Sequence, residues 1–282
     1  MMRFPFAPLP QIRFQPKALL VAVTLAFPLA LGACSGDSEE EAYVERPVDE
    51  LYNTAVDLLN DGQYQNAADA FDEVERQHPY SVWATKAQLM AAYSLYEDNE
   101  YDDAVIALNR YIELHPGNQD IAYAYYLRAL CFYEQIADVG RDQEMTREAM
   151  DYLREVTTRF PRSDYARDAS LKMDLAQDHL AGKEMSVGRF YLNQGHYLAA
   201  LNRFRTVVDR FDQTTHVPEA LFRIVEVNTV LGLPGEAERT AAVLGHNFPG
   251  SDWYVDAFGL VTGDRSYSAE TDPDDGWFDW LL

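Results

Sequence analysis

Two cysteines, six histidines and several pairs of acids are the side chains of this 282-residue sequence that are able to carry chemistry, and none stands in a catalytic spacing. There is no glycine-rich phosphate loop, no Gly-x-Ser-x-Gly elbow, no His-Glu-x-x-His and no Cys-x-x-Cys, the spacings that hold a nucleophile, a base or metal ligands within reach of one another. His78, His115, His179, His196, His216 and His246 are scattered. His78 and His115 each directly precede a proline, where a cation complements the C-terminal end of a helix dipole. Capping therefore outranks metal ligation for them. Asp102 and Asp103 open a helical stretch and offset the opposite dipole end in the same way. Binding chemistry is better represented. "YSVWATKAQLMAAYSLY" carries Tyr80 and Tyr93, and "IAYAYYLRALCFYEQ" carries Tyr123, Tyr126 and Arg128; aromatic and arginine side chains dominate interface hot spots. The same tyrosines also suit packing between helices. The expectation is a binding protein rather than an enzyme, with no metal and no cofactor apart from a covalent lipid.

That lipid concerns Cys34. Arg3, Arg13 and Lys17 precede the apolar run Ala18 to Leu31, followed by Gly32, Ala33 and Cys34, with no acid among the first 33 residues. This is the order of an export signal. The run has 14 residues and contains Pro28, short of the roughly 20 that a membrane-spanning helix needs. Leu31-Gly32-Ala33-Cys34 resembles the bacterial lipobox, in which cleavage falls before the cysteine and the new N-terminus is acylated. Residues 1–33 are then a signal peptide and residues 34–48 a lipidated acidic tether, with Ser35 after the cysteine favouring the outer membrane. The other cysteine, Cys131, sits in an apolar helical context and reads as a small buried hydrophobe.

Removal of the signal leaves 249 residues with 20 basic and 46 acidic side chains, a formal charge of −26. Nucleic acid is excluded as a partner by that sign, and a docking partner should be relatively basic or apolar.

The elements that must position these residues repeat. Tyr64, Ala67, Phe71 and Pro79 recur 37 residues later as Tyr101, Ala104, Leu108 and Pro116. Further copies give Ala149, Leu153, Val156 and Pro161, then Tyr197, Ala200, Phe204 and Asp212 in the proline position, then Ala237 and Pro249. The first four copies are each preceded by a helical stretch with a small and a large residue three apart: Ala55 and Leu58, Ala92 and Leu95, Ala129 and Phe132, Gly188 and Tyr191. A small residue admits a neighbouring helix and the large one fills the adjoining groove. This pattern resembles the tetratricopeptide (TPR) repeat, and it predicts an all-α TPR-like solenoid of about five helix pairs, about ten helices. The proline positions are spaced by 37, 45, 51 and 37 residues. The first excess falls in a polar loop, Ala137 to Met145; the second predicts one long connecting helix in the middle, despite Gly182 and Gly188 within it. The repeats divide into an N-terminal half, 49–165, and a C-terminal half, 166–255, with an acidic and aromatic tail, 256–282. Trp277, Phe278, Trp280, Leu281 and Leu282 of that tail suit either a terminal cap or a docking peptide.

Lipobox, acidic spacer and five irregular copies together resemble the BamD family, the TPR lipoproteins of the outer-membrane β-barrel assembly (BAM) machinery. The resemblance covers residues 34 to 255. It is carried by "HPYSVWATKAQLMAAYSLYE", with Pro79, Tyr80, Ser81, Ala84, Gln88, Leu89, Ala92 and Tyr93; by the Tyr-x-x-Tyr-x-Arg of Tyr123, Tyr126 and Arg128; and by "SVGRFYLNQGHYLAALNRF". Gln194 stands where the family has an arginine before the fourth-repeat glycine. The resemblance implies an outer-membrane, periplasm-facing adaptor that binds BamA and works with the other BAM lipoproteins. Its N-terminal half is implied to receive unfolded β-barrel precursors through Tyr80, Tyr93, Tyr123, Tyr126 and Arg128. Its C-terminal half is implied to hold BamA through Asn202 and Arg203, Arg203 pairing an acid on it. A periplasmic TPR scaffold for cell-wall enzymes or a secretin shares the repeat but not these segments.

Overall fold

The computed structural model describes residues 45–263, so the readings of Cys34, of the signal and of the tail beyond residue 263 lie outside the described residues. The described residues from Arg46 to Gly263 belong to one unit, and they contain eleven helices and no strand. In chain order they are α1 (Val48–Asn60), α2 (Tyr64–Gln77), α3 (Val82–Glu97), α4 (Tyr101–Leu114), α5 (Ile121–Tyr133) and α6 (Glu144–Arg159). The long α7 (Asp164–Asn193), α8 (Tyr197–Arg210), α9 (Val217–Val230), α10 (Pro234–Asn247) and α11 (Asp252–Thr262) follow. Odd- and even-numbered helices make five antiparallel pairs, and α11 packs on α9 and α10 as a single closing helix.

The recurring alanine is where two helices meet. Ala67, Ala104, Ala149 and Ala200 are completely buried, as are the large residues one turn on, Phe71, Leu108, Leu153 and Phe204. Within four of the pairs the turn is also repeated. Gly62, Asn99, Gly195 and Gly232 adopt left-handed backbone, φ 64 to 73°, and the next residue's N–H reaches back to the carbonyls of Leu58, Leu95, Tyr191 and Asn228. This is the Schellman closure, which satisfies the last carbonyls of a helix and demands a residue tolerant of positive φ. The third pair lacks it. There the predicted polar loop is built around buried Gln143, whose amide donates to the carbonyls of Asp138 and Arg141, both at 3.2 Å. His78 and His115 do occupy helix C-caps, but their rings bond sideways, His78 to the Arg46 carbonyl at 2.7 Å and His115 to Gln88 at 2.6 Å.

The first helices of pairs one to four touch in succession, α1 to α3, α3 to α5 and α5 to α7. They thus form one continuous row. The apolar core is segmented along that row, each cluster shared by neighbouring pairs only, as expected of a solenoid. α7 belongs to two clusters. Ala169 and Met173 join Leu153 and Val156 of α6, whereas Ala181, Met185 and Leu192 join Phe204 and Val207 of α8. Between these stretches the helix is held by polar ties: His179 to Gln143 at 3.0 Å, Lys183 to the Gly140 carbonyl at 3.0 Å, and Asp178 to Thr215 at 2.8 Å. The two glycines do not break α7. A Cβ at Gly188 would lie 2.5 Å from Phe204 and one at Gly182 would lie 3.1 Å from His216, so both residues are there for close approach. Among the described residues no helix is long and apolar enough to cross a membrane.

Candidate functional site

Helix register brings tyrosines of three first helices together. Tyr93 and Tyr96 of α3 stack with ring centroids 6.5 Å apart, and Tyr96 continues to Tyr101 at 5.8 Å. On the adjoining stretch Tyr123 and Tyr126 of α5 flank Tyr165 of α7, at 5.5 and 5.3 Å. All are half-buried except Tyr165, which is more open. Tyr126 donates its hydroxyl to Asp168, which Lys172 also approaches at 3.1 Å. Those two bonds hold the Asp168 carboxyl below its usual range, the tyrosine being the larger cause.

The phenols of Tyr93, Tyr96, Tyr101, Tyr123 and Tyr126 are pushed toward their protonated forms. Glu97, bonded to Tyr93, raises that phenol to about 12. Burial first, and then neighbouring acids and phenols, raises Tyr96, Tyr123 and Tyr126 well above the ordinary value. Neutral phenols supply flat apolar area and a hydroxyl that both donates and accepts. Such a face can hold an extended chain through stacking and backbone hydrogen bonds. By contrast, a depression of about 290 Å³ lined by Thr157, Pro161, Arg162, Ser163, Asp164, Ala166, Arg167 and Ser170 contains no tyrosine.

The residues expected at a substrate groove separate into three kinds. Tyr93, Tyr123 and Tyr126 belong to the tyrosine face. Tyr80 is fully exposed in the turn before α3 and has no ring contact with that face. Arg128 is buried inside the third pair. Its guanidinium lies 4.9 Å from the Tyr125 ring and 4.8 Å from the Tyr152 ring, and bonds Asn109 and Glu155, both at 2.6 Å. That placement corrects the expectation of an arginine turned outward: a cation with two rings, an amide and a carboxylate around it is most favourably held inside. Tyr165 was missed, although Trp83, Tyr165 and Trp253 each fall four residues after a repeat proline.

On the C-terminal side, Arg203 of α8 is about half exposed and pairs with Glu184 of α7 at 3.0 Å. Asn202 beside it is exposed. A charge chain that no sequence motif marks ties α7 to α9. Arg189 grips Glu219 through both oxygens at 2.8 and 2.9 Å. Arg223 lies 3.5 Å from the same acid and 3.1 Å from Glu226. Glu226 is almost completely buried, and burial drives its carboxyl upward. Cys131 is a free, buried thiol pushed up to about 12 by burial. Among the described residues no group of His, Cys, Asp and Glu is arranged to hold a metal ion.

Stacked helix pairs with an aromatic row along their first helices make this an all-α solenoid of the TPR class. Among solved structures, the TPR2AB-domain:pHSP90-complex of yeast Sti1 is 13% identical, with a TM-score of 0.42 over 76% of this chain and 83% of that one. The family described as outer membrane lipoprotein (YfiO) matches residues 44–244. Outer membrane protein assembly factor BamD of Caulobacter vibrioides is 48% identical over 88% of this chain and 81% of that protein. Its namesake in Rickettsia prowazekii is 46% identical over 86% and 96%, and that of Neisseria meningitidis serogroup A is 34% identical over 86% and 95%. The chain belongs to the BamD (YfiO) family of outer-membrane lipoproteins.

Proposed function

We propose that this protein is the lipid-anchored TPR adaptor of the β-barrel assembly complex, a non-catalytic subunit that helps deliver and insert unfolded outer-membrane β-barrel proteins. The observation that carries this reading is the identity of 48% to an outer membrane protein assembly factor across 88% of the chain. Cys34 bears the lipid and holds the repeats at the periplasmic face of the outer membrane. Two or more acyl chains give stable anchoring where one gives only marginal binding.

The N-terminal pairs, residues 49–165, receive precursor segments on the tyrosine face, with Tyr93, Tyr123 and Tyr126 as stacking platforms and exposed Tyr80, in the turn before α3, as a further contact. Arg128 is a positioning residue that keeps α5 and α6 in register. The C-terminal pairs, 166–255, hold BamA through Arg203 and Asn202. Arg203 is free to give part of its guanidinium to an acid of the partner while keeping Glu184, because a guanidinium offers five donors in a fork. α7 is the mechanical link between these tasks, since it packs in both core segments.

The test is an affinity purification of the tagged full-length protein from detergent-solubilised envelope. Co-elution of BamA in near-equal amount supports the adaptor role. Recovery of a cell-wall synthase or a secretin in its place overturns it.

A further inference from the structure

Glu97 ends α3 one turn after Tyr93 and directly after Tyr96, and it is close enough to Tyr123 of α5 to act on its phenol. It is half-buried. The ion pairs formed among the described residues leave Glu97 without a basic partner, whereas Asp168, a second carboxylate on the tyrosine face, already has Lys172, and Glu134, which acts on Tyr96 and Tyr101, is exposed to water. The face therefore carries one half-buried anion walled by aromatic rings and lacking a cation of its own.

The same molecule shows what fills such a place. In the third pair, Arg128 lies between the rings of Tyr125 and Tyr152 with Glu155 at 2.6 Å. Cation, rings and carboxylate together form the packed unit. We propose that Glu97, with Tyr93, Tyr96 and Tyr123 around it, is the seat for a lysine or arginine side chain of the extended segment that binds the tyrosine face. Ring quadrupoles attract the cation, and the carboxylate adds a charge-assisted hydrogen bond. An acidic side chain placed there meets Glu97 in an already acidic molecule and is rejected. The face is thereby selective for charge as well as for aromatic content. This inference rests on the reading that the face binds unfolded precursor segments.

The experiment measures fluorescence anisotropy of labelled 12-residue peptides with the full-length protein in detergent. The peptides alternate phenylalanine and serine, with a single lysine walked along the serine positions; a matched set carries norleucine in place of lysine. One lysine position is expected to bind about tenfold tighter than its norleucine counterpart at low salt. Glu97→Gln is expected to remove that gap between the lysine and norleucine sets, and 0.5 M salt to narrow it in the wild-type protein. Equal, measurable binding of both sets to the wild-type protein overturns the cation seat and leaves the peptide face standing. A gap that persists in Glu97→Gln overturns the role of Glu97. Binding of neither set overturns the peptide face itself and the seat with it.

Discussion

Individual residues carry two kinds of constraint here, volume and charge. Gly188 has no room for a methyl group against Phe204. Gly188→Ala is accordingly expected to destabilise the fold by about 1–3 kcal/mol, read as a lower urea midpoint with an unchanged slope. Arg128 is constrained by charge. Arg128→Ala leaves the Asn109 amide oxygen without its donor, takes from Glu155 one of its two arginines while Arg159 stays at 2.8 Å, and removes two ring contacts, a loss of about 1–3 kcal/mol. Urea unfolding of that variant, followed at the α5 and α6 tyrosines, checks it. Glu226 works in the opposite sense. Its folded carboxyl titrates above the unfolded value of 4.5, so its contribution is complete below about pH 4.5 and is lost as pH rises through the folded value. Glu226→Gln is therefore expected to raise stability at pH 7 relative to the natural protein and to confer no gain at pH 4. Unfolding curves at the two pH values decide the matter.

At the level of elements, the helix ends and helix faces were legible and the joints were not. Small-then-large spacing marks where helices meet, because close approach requires an alanine or glycine at the contact, and the buried alanines stand at those positions. Left-handed Gly62, Asn99, Gly195 and Gly232 end the first helices for the reason that makes glycine and asparagine common at such ends. Joints depend on partners far apart in sequence: His179 with Gln143, and Asp178 with Thr215, have no periodicity to betray them. The α7–α8 pair presents Arg203 at its surface, held by Glu184. Arg203→Glu places two acids opposite each other, and BamA recovery is expected to fall at least tenfold without unfolding the solenoid. Quantitative co-purification with circular dichroism on the same preparation tests this; unchanged recovery removes Arg203 from that interface.

Over the whole molecule, neighbour-only packing means that the two ends communicate through the single helix that both core segments share. Residues 45–263 hold the surfaces proposed for binding, and the anchoring proposal for Cys34 rests on sequence. Cys34→Ser is expected to release the protein from washed membranes, and persistence of acyl labelling overturns the lipid assignment. Composition, repeat spacing and the lipobox by themselves determined the class of protein, the helix pairing and the family resemblance, because periodicity and local propensity act along the chain. Only the tertiary structure decided which aromatic residues share a face, that Arg128 lies inside and that Glu97 lacks a cation. Burial and charge pairing depend on which helices stack, and a tyrosine at one helical position reads the same in sequence whether its neighbour is a core leucine or open water.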